Sequence, residues 1–206
     1  MKKAQVQAIS MVLMAGIVLS LVGVAYFWGK PLIDKRVTVT DVSTAESFML
    51  ELDRQIVDVA RSGGSKSVNI PGIAGASLNA NQSGNEILFR FITTQAMLGM
   101  GEGSMSVPVE TYDMEPVGQY GGSPRIITLE GEPVDNNQYL MTLRLKYREL
   151  DAPDKGYKIT ITDGGSLAGN NAQSRVSANF VNTTTIQLGA DNSGDLISTY
   201  INVTIS

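Results

Sequence analysis

The side chains that do most nucleophilic and metal-binding chemistry in proteins are missing from this chain, because its 206 residues include no cysteine and no histidine. That composition excludes Cys nucleophiles, Ser-His-Asp triads, Cys/His zinc sites and haem ligation by His or Cys. The alternating oxygen ligands of Asp191–Asp195 could hold Ca²⁺, but the sequence lacks the Gly at position six and the Glu at position twelve of an EF-hand loop, so a hairpin turn is the simpler interpretation. Glu130 and Glu132 flank a glycine and are expected to be a solvated pair. We therefore expect no catalytic residue, no metal site and no cofactor, and a protein that is not an enzyme.

Three Asn-x-Ser/Thr triplets are candidate N-glycosylation sites, at Asn81, Asn182 and Asn202. Asn81 lies in a predicted turn, Asn182 between two predicted strands, and Asn202 on the outward face of a predicted strand. All three are expected to be accessible, as a glycan acceptor must be.

The charge balance argues against a nucleic-acid partner, since the net charge is −4 and the isoelectric point about 4.9. Charged residues make up only 17% of the chain, and Gly, Ser, Thr and Asn are plentiful instead. This composition is typical of exposed β-proteins with a neutral, hydroxylated or glycosylated surface.

The segment Ala4–Gly29 carries no charged side chain. As a helix it would be about 39 Å long at about 1.5 Å per residue, enough to cross a bilayer core of about 30 Å. Tyr26, Phe27 and Trp28 resemble an interfacial aromatic belt, and Lys30 follows them. Pro31 is expected to kink or weaken the helix. The sequence therefore predicts an N-terminal membrane helix within residues 1–36.

Three interpretations of this segment remain open on the residues alone. A cleaved secretory signal would use the small residues at Gly23 and Ala25, which leaves an exposed aromatic N-terminus. A plain signal anchor would keep the whole helix in the membrane. In a pilin-type segment the processing site precedes the apolar helix, which is retained and used for assembly. The counts of Lys and Arg on the two sides do not fix the orientation.

The run Lys2-Lys3-Ala4-Gln5, followed by a long apolar helix with Gly and Ser, resembles the class III signal of archaeal type IV pilins and archaellins. The resemblance covers about 35 residues, and it implies that a prepilin-peptidase-like enzyme cuts between Ala4 and Gln5. Bacterial type IV pilins usually carry Glu as the fifth mature residue, and this chain has Ile9 there. The resemblance is therefore to the archaeal group.

Small residues in the helix allow neighbouring backbones to approach closely, which is how helices associate in lipid. Ala15, Gly16 and Gly23 are the candidate helix–helix assembly positions, and Gly16 and Gly23 lie on nearly one face. The open alternative is that glycine is simply frequent in transmembrane helices.

The remaining chain predicts a short amphipathic helix and a β domain. The β-branched run Val37–Thr40 should interrupt the first helix, and Ser43 with Glu46 forms a capping-box pattern. The second helix is expected over 43–63, with an apolar stripe that packs on the sheet: Phe48, Met49, Leu52, Ile56, Val59 and Ala60. Residues 65–206 then alternate with period two, for example in Gln138–Arg148 and Leu196–Ile205, and the core-facing sets include Val176, Ala178 and Phe180.

The fold class predicted is α+β, with an N-terminal transmembrane or assembly helix, a short amphipathic helix and an antiparallel β-sandwich domain. The resemblance implies a structural subunit of an archaeal type IV pilus-like surface filament, as major or minor pilin, with adhesion a role that such a filament could serve. Its partners would be copies of itself or related pilins, the membrane and the processing peptidase, and the β domain would be extracellular. The alternative is a monotopic membrane-anchored envelope-binding protein, similar to the β-sandwich stator proteins of the archaellum, that does not polymerise.

Overall fold

A computed structural model describes residues 2–94, 105–109, 114–135, 138–153, 155–162, 166–168, 174–187 and 194–206. Two compact units divide the chain, Met1–Thr40 and Asp41–Ser206. The described residues form one helix, α1 (Lys2–Ser62), and twelve strands. The strands are β1 (Ser65–Asn69), β2 (Ser77–Asn81), β3 (Glu86–Thr93), β4 (Met105–Pro108), β5 (Val117–Gln119), β6 (Arg125–Asp135), β7 (Gln138–Tyr147), β8 (Glu149–Ala152), β9 (Lys155–Thr162), β10 (Ser166–Ala168), β11 (Arg175–Gln187) and β12 (Asp195–Ile205).

Helix α1 corrects the prediction of two helices, because it continues through Val37–Thr40 without a break. β-branched residues cost only about 0.5 kcal/mol each in a helix, which the surrounding turns can offset. The hydroxyl of Thr40 donates to the carbonyl of Arg36 at 2.9 Å, so this polar group is satisfied inside the helix. Pro31 is also accommodated within α1.

The predicted capping box at Ser43 is wrong for the same reason. Ser43 lies in the helix interior, and its carbonyl accepts a hydrogen bond from the hydroxyl of Ser47 at 2.8 Å.

The helix ends at Ser62, immediately before the glycine pair at which the sequence predicted its end. Gly63 has φ +72° and donates its N–H to the carbonyl of Val59 at 2.9 Å, which is the left-handed ending that glycine favours.

The second unit begins with about the last six turns of α1, whose apolar stripe is buried in the β domain as predicted. Phe48 packs on Phe89 of β3 with ring centroids 5.3 Å apart, and Phe89 lies 5.8 Å from Phe91. The buried side chains of this part of the helix are Val42, Ala45, Phe48, Met49, Leu52, Ile56 and Val59. They belong to one hydrophobic cluster that also contains residues of both sheets.

The described strands form two six-stranded sheets. Sheet I has the order β1-β11-β12-β9-β8-β5, and sheet II has the order β10-β2-β3-β7-β6-β4. Sheet II is antiparallel throughout. Sheet I is mixed, because β12 runs parallel to β9 and β5 runs parallel to β8. The expectation of purely antiparallel sheets is therefore wrong for sheet I, since period-two alternation shows a half-buried strand but not its direction relative to its neighbours.

Asn85 connects the two sheets through hydrogen bonds of its side-chain amide. Its Nδ2 donates to the carbonyls of Tyr147 (3.1 Å) and Ile159 (2.8 Å), and its Oδ1 accepts from the N–H of Ile161 (2.7 Å). The backbone of Asn85 has φ +52°, a left-handed conformation that Asn tolerates better than most residues. One amide thus satisfies backbone groups at the ends of β7, in sheet II, and within β9, in sheet I.

The strand faces follow the predicted alternation in the centre of each sheet. In β7 the side chains of Met141, Leu143 and Leu145 are fully buried. In β11, Val176 and Ala178 are buried, but Phe180 is 38% exposed. Phe180 was expected in the core with them, and a register shift between Phe180 and Asn182 takes the strand out of the alternation there.

Candidate functional site

The first unit presents an apolar surface on every side of α1. Exposed fractions reach 73% for Met11, 72% for Leu19 and 79% for both Phe27 and Trp28. The most apolar window has a mean hydropathy of 2.2, and none of it is buried. The chain therefore has one described helix that is long and apolar enough to span a membrane, and it lies near the N-terminus. Among the described residues, this helix is the feature that supports a membrane location.

The candidate assembly positions leave open space on the helix surface. A Cβ placed on Gly16 or Gly23 would meet no described atom within 4 Å. Gly16 forms the floor of a shallow groove with Ser20, which is bordered by Val12, Leu13, Ile17, Leu21 and Val24. The hydroxyl of Ser20 donates to the carbonyl of Gly16 at 2.8 Å, so its proton is already hydrogen-bonded within the helix. An apolar neighbour packed in the groove would therefore bury no unpaired hydroxyl proton. Ala15 is exposed beside Gly16.

The two ends of the apolar run have different chemistry. Lys2, Lys3, Ala4 and Gln5 form the start of α1, so the candidate processing residues are helical in this structure. At the other end Tyr26 and Phe27 meet edge to face with ring centroids 6.2 Å apart. Exposed aromatic rings followed by Lys30 are typical of the level of lipid headgroups.

The three glycosylation triplets lie in three different environments. Asn182 is exposed on β11. Asn81 is partly buried at the end of β2, where its Nδ2 donates to Glu86 at 3.1 Å and its Oδ1 accepts from the N–H of Gly84 at 3.3 Å. Asn202 was expected to face outward, but its Oδ1 is buried and has no hydrogen-bond partner among the residues that the structure describes. Its amide would have to rotate outward before a glycan could be attached.

A buried charged group that the sequence interpretation missed holds α1 to sheet II. Asp53 is 1% exposed, forms an ion pair with Arg125 of β6 and accepts a hydrogen bond from the hydroxyl of Tyr147 at 3.0 Å. In an amphipathic helix an aspartate is ordinarily assigned to the polar face. Its spacing, four residues after Met49 and three before Ile56, could have revealed that it lies on the buried stripe.

Tyr147 is completely buried, and this burial is the main cause that raises its pKa well above the ordinary value of 10.0. The negative charge of Asp53 adds to the effect, because it disfavours a second negative charge on the phenol. Tyr147 is therefore a neutral hydrogen-bond donor over the whole physiological range.

Glu130 and Glu132 were expected to form a solvated pair, but the structure places Glu130 in an ion pair. Glu130 binds Arg144 through both carboxylate oxygens, at 3.2 and 3.1 Å, and Arg144 also reaches Glu86 at 2.7 Å. These two carboxylates raise the pKa of Arg144 above its ordinary value. The cluster is an ion-pair network across neighbouring strands of sheet II and has no free acid for general acid–base chemistry.

The described residues include no group of three His, Cys, Asp or Glu side chains that could hold a metal ion. Most of the Asp191–Asp195 stretch, in which Ca²⁺ ligands were considered, lies outside the described residues. Asp195 itself begins β12.

No protein family, curated protein or solved structure matches this chain. Its function therefore has to follow from its own residues and their geometry.

Proposed function

We propose that this protein is a subunit of a surface filament of the archaeal type IV pilus kind, assembled through the N-terminal part of α1. The observation that carries the proposal is the exposed apolar surface of residues 10–33, which the described part of its own chain does not cover. A soluble monomer rarely exposes a contiguous apolar patch larger than a few hundred Å². This helix needs lipid or other helices around it.

Packed helices account for two further features of this segment. Gly16 and Gly23 are seven residues apart, which places them within about 20° on the helix, and both leave room for a neighbouring backbone. The basic pair Lys2 and Lys3 before Ala4 supplies the cleavage signal that the pilin resemblance requires. Cleavage after Ala4 would remove both lysines and leave an apolar N-terminal segment.

The second unit has the features of a water-soluble domain. Its own helix segment closes its hydrophobic cluster, so the core of Asp41–Ser206 is buried without a partner. We infer that the two sheets stack as a β-sandwich, with Asn85 joining them at one end, and that this domain lies outside the cell. Packing of both sheets and the helix in one hydrophobic cluster supports the inference.

A monotopic anchored protein is the second candidate, and the evenness of the apolar surface favours it. Met11, Leu19 and Phe27 are all at least 72% exposed although they point in different directions around α1. Lipid would cover such a surface on all sides without any polymer. In this case the β domain would bind an envelope component and the glycines would have no assembly role.

Mass spectrometry of the native protein, together with electron microscopy of the surface material sheared from cells, tests the proposal. We expect filaments that contain this chain, with an intact mass lacking Met1–Ala4. A mature N-terminus at Tyr26 would show an ordinary secretory signal and contradict the proposal. An unprocessed chain found only in the membrane fraction would support the anchored alternative.

A further inference from the structure

A cavity of about 460 Å³ lies within the second unit, between the last turns of α1 and the core-facing side of sheet I. The turn that follows β5 also lines it, with Tyr120 and the glycines after it. The helix and the strands β9 and β12 supply apolar walls, which include Val57, Ala60, Tyr157, Ile159 and Ile197. A volume of about 300–1,000 Å³ with a largely apolar and aromatic lining is typical of small-molecule sites.

The cavity leaves one end of sheet I without a packing partner among the described side chains. In β12, Ile201 and Val203 face the core and are fully buried. Ile197 and Thr199 share that face, because side chains alternate along a strand, but they are only partly buried and line the cavity. The sheet therefore presents a preformed apolar wall, which a ligand could cover without rearranging the core.

A tight turn holds an aromatic ring beside this wall. Gly122 donates its N–H to the carbonyl of Gln119 at 2.9 Å, and Gly121 has φ +92°, a left-handed conformation that suits glycine. The turn carries Tyr120, which is 64% exposed and whose ring centroid lies 5.0 Å from that of Tyr157. Two neighbouring rings, one of them exposed, favour an aromatic ligand, which can stack on them or meet them edge to face.

The charge on the described lining is positive, since it includes two basic residues, Arg61 and Lys158, and no acidic one. Lys158 alternates with core-facing residues of β9, so its side chain points to the other side of sheet I, and Arg61 is the cation available to a ligand. Arg61 is exposed in the last turn of α1 and makes no hydrogen bond or close ion pair with the described residues. Asp58, one turn earlier, pairs with Lys66 instead. A guanidinium with free N–H donors at the rim of an apolar cavity suits a carboxylate, which it can bind through two parallel hydrogen bonds.

We propose that this cavity binds a small aromatic carboxylate. The ring of the ligand lies against Tyr120 and Tyr157 between the apolar walls, and its carboxylate accepts hydrogen bonds from Arg61 at the rim. A neutral aromatic molecule would fill the walls without using the arginine, and an inorganic anion would use the arginine without filling the walls. The inference concerns the second unit only, so it goes beyond the proposed function and holds whether the chain forms filaments or remains a membrane anchor.

Isothermal titration calorimetry of the full-length protein in a neutral detergent, with 2-naphthoate as the probe, tests the proposal. A titration into detergent alone gives the background. We expect saturable binding of one molecule per chain, with a Kd below about 1 mM. The neutral analogue 2-naphthylmethanol lacks the carboxylate and should bind at least about tenfold more weakly. No saturable binding of 2-naphthoate, or equal affinities for the two probes, would overturn the proposal.

Two substitutions test where the probes bind. Arg61→Met removes the charge at the rim and should weaken 2-naphthoate binding at least about tenfold, with the affinity for 2-naphthylmethanol unchanged. Ala60→Phe places a ring inside the cavity and should weaken the binding of both probes at least about tenfold. Arg90→Met is the matched control, because Arg90 is an exposed arginine of β3 in sheet II that does not line this cavity, and it should keep the natural affinities.

Circular dichroism checks that each variant remains folded. Because Arg61 is exposed, its variant should fold even if Ala60→Phe does not. Natural affinity for 2-naphthoate in Arg61→Met or in folded Ala60→Phe would overturn the proposal. Equal losses in Arg61→Met and Arg90→Met would also overturn it, because they would show attraction to the overall charge of the protein rather than binding in the cavity.

Discussion

The carboxylate of Asp53 is the most consequential single group in the β domain, because it is buried between an arginine and a tyrosine. Replacing Asp53 by Asn would remove the negative charge that faces Arg125 inside the helix–sheet contact. We expect the free energy of unfolding to fall by about 3 kcal/mol, as it does when one partner of a buried ion pair is removed. Urea denaturation of the folded domain measures the change.

Asp58 gives a matched control on the same helix. It pairs with Lys66 at 2.9 Å, but the two side chains are 45% and 41% exposed. Its pKa is lowered, mainly by the hydrogen bond and charge of Lys66. Water and salt screen such a pair, so Asp58→Asn should leave the unfolding midpoint almost unchanged. Equal losses for Asp53→Asn and Asp58→Asn would show that burial of Asp53 does not matter.

Tyr147 makes stability depend on pH in the alkaline range. Its pKa is raised in the folded state by burial and by Asp53, so above about pH 10 the unfolded chain loses this proton and the folded chain keeps it. Stability is therefore unaffected by this group below about pH 10 and falls above it, by up to about 1.4 kcal/mol per pH unit. The advantage of the natural chain over Tyr147→Phe should be constant near pH 8 and shrink near pH 11. A constant difference over that range would contradict this assignment.

Asn85 joins the two sheets by hydrogen bonds, and its amide cannot be replaced by a carboxylate. Asn85→Asp would lose the donor to the carbonyls of Tyr147 and Ile159 and bring a negative charge towards both oxygens. We expect a loss of about 2–3 kcal/mol in thermal or chemical unfolding. The same change at exposed Asn182 is the control, and it should have little effect. A small effect at both positions would mean that other contacts hold the sheets together.

At the scale of elements, helix α1 has two parts with different surroundings. The stripe from Phe48 to Val59 is buried, so a chain that begins at Asp41 should fold cooperatively, with a β-rich circular dichroism spectrum. A chain that begins at Ser65 would lose the whole stripe. At about 1.5–3 kcal/mol per large buried side chain, this loss rivals the total stability of a domain. Identical melting of the two truncated chains would show that the helix is dispensable.

The sequence alone predicted the elements whose periodicity is strong. The apolar run, the buried helix stripe, the glycine ending at Gly63 and the alternation in β7 were all visible in spacing. The helix break predicted at Val37–Thr40 from local helix propensity is wrong. The small loss of helix free energy at each β-branched residue does not interrupt a helix that continues on both sides. The parallel pairs of sheet I and the ion pair between Asp53 and Arg125 depend on contacts far apart in the chain, which no local pattern records.

At the scale of the whole molecule, the chain consists of an apolar helix segment that needs neighbours and a β domain that has its own core. The central claim is that the neighbours of the helix are other copies of it. Gly16 and Gly23 then lie at close helix–helix contacts, and filling them with large side chains should cost about 1–3 kcal/mol per site, repeated at every subunit. Lipid, by contrast, adapts readily to an added Leu.

The most direct measurement is electron microscopy of cells that carry Gly16→Leu with Gly23→Leu, together with a blot of the membrane fraction. The control variant carries Val18→Leu with Ala25→Leu, because Ala25 lies about 180° around the helix from Gly16 and the changes are also from smaller residues to Leu. We predict that the glycine variant loses its filaments while its level in the membrane stays normal, and that the control keeps them. Unchanged filaments in the glycine variant, or no filaments in cells with the natural chain, would contradict the account.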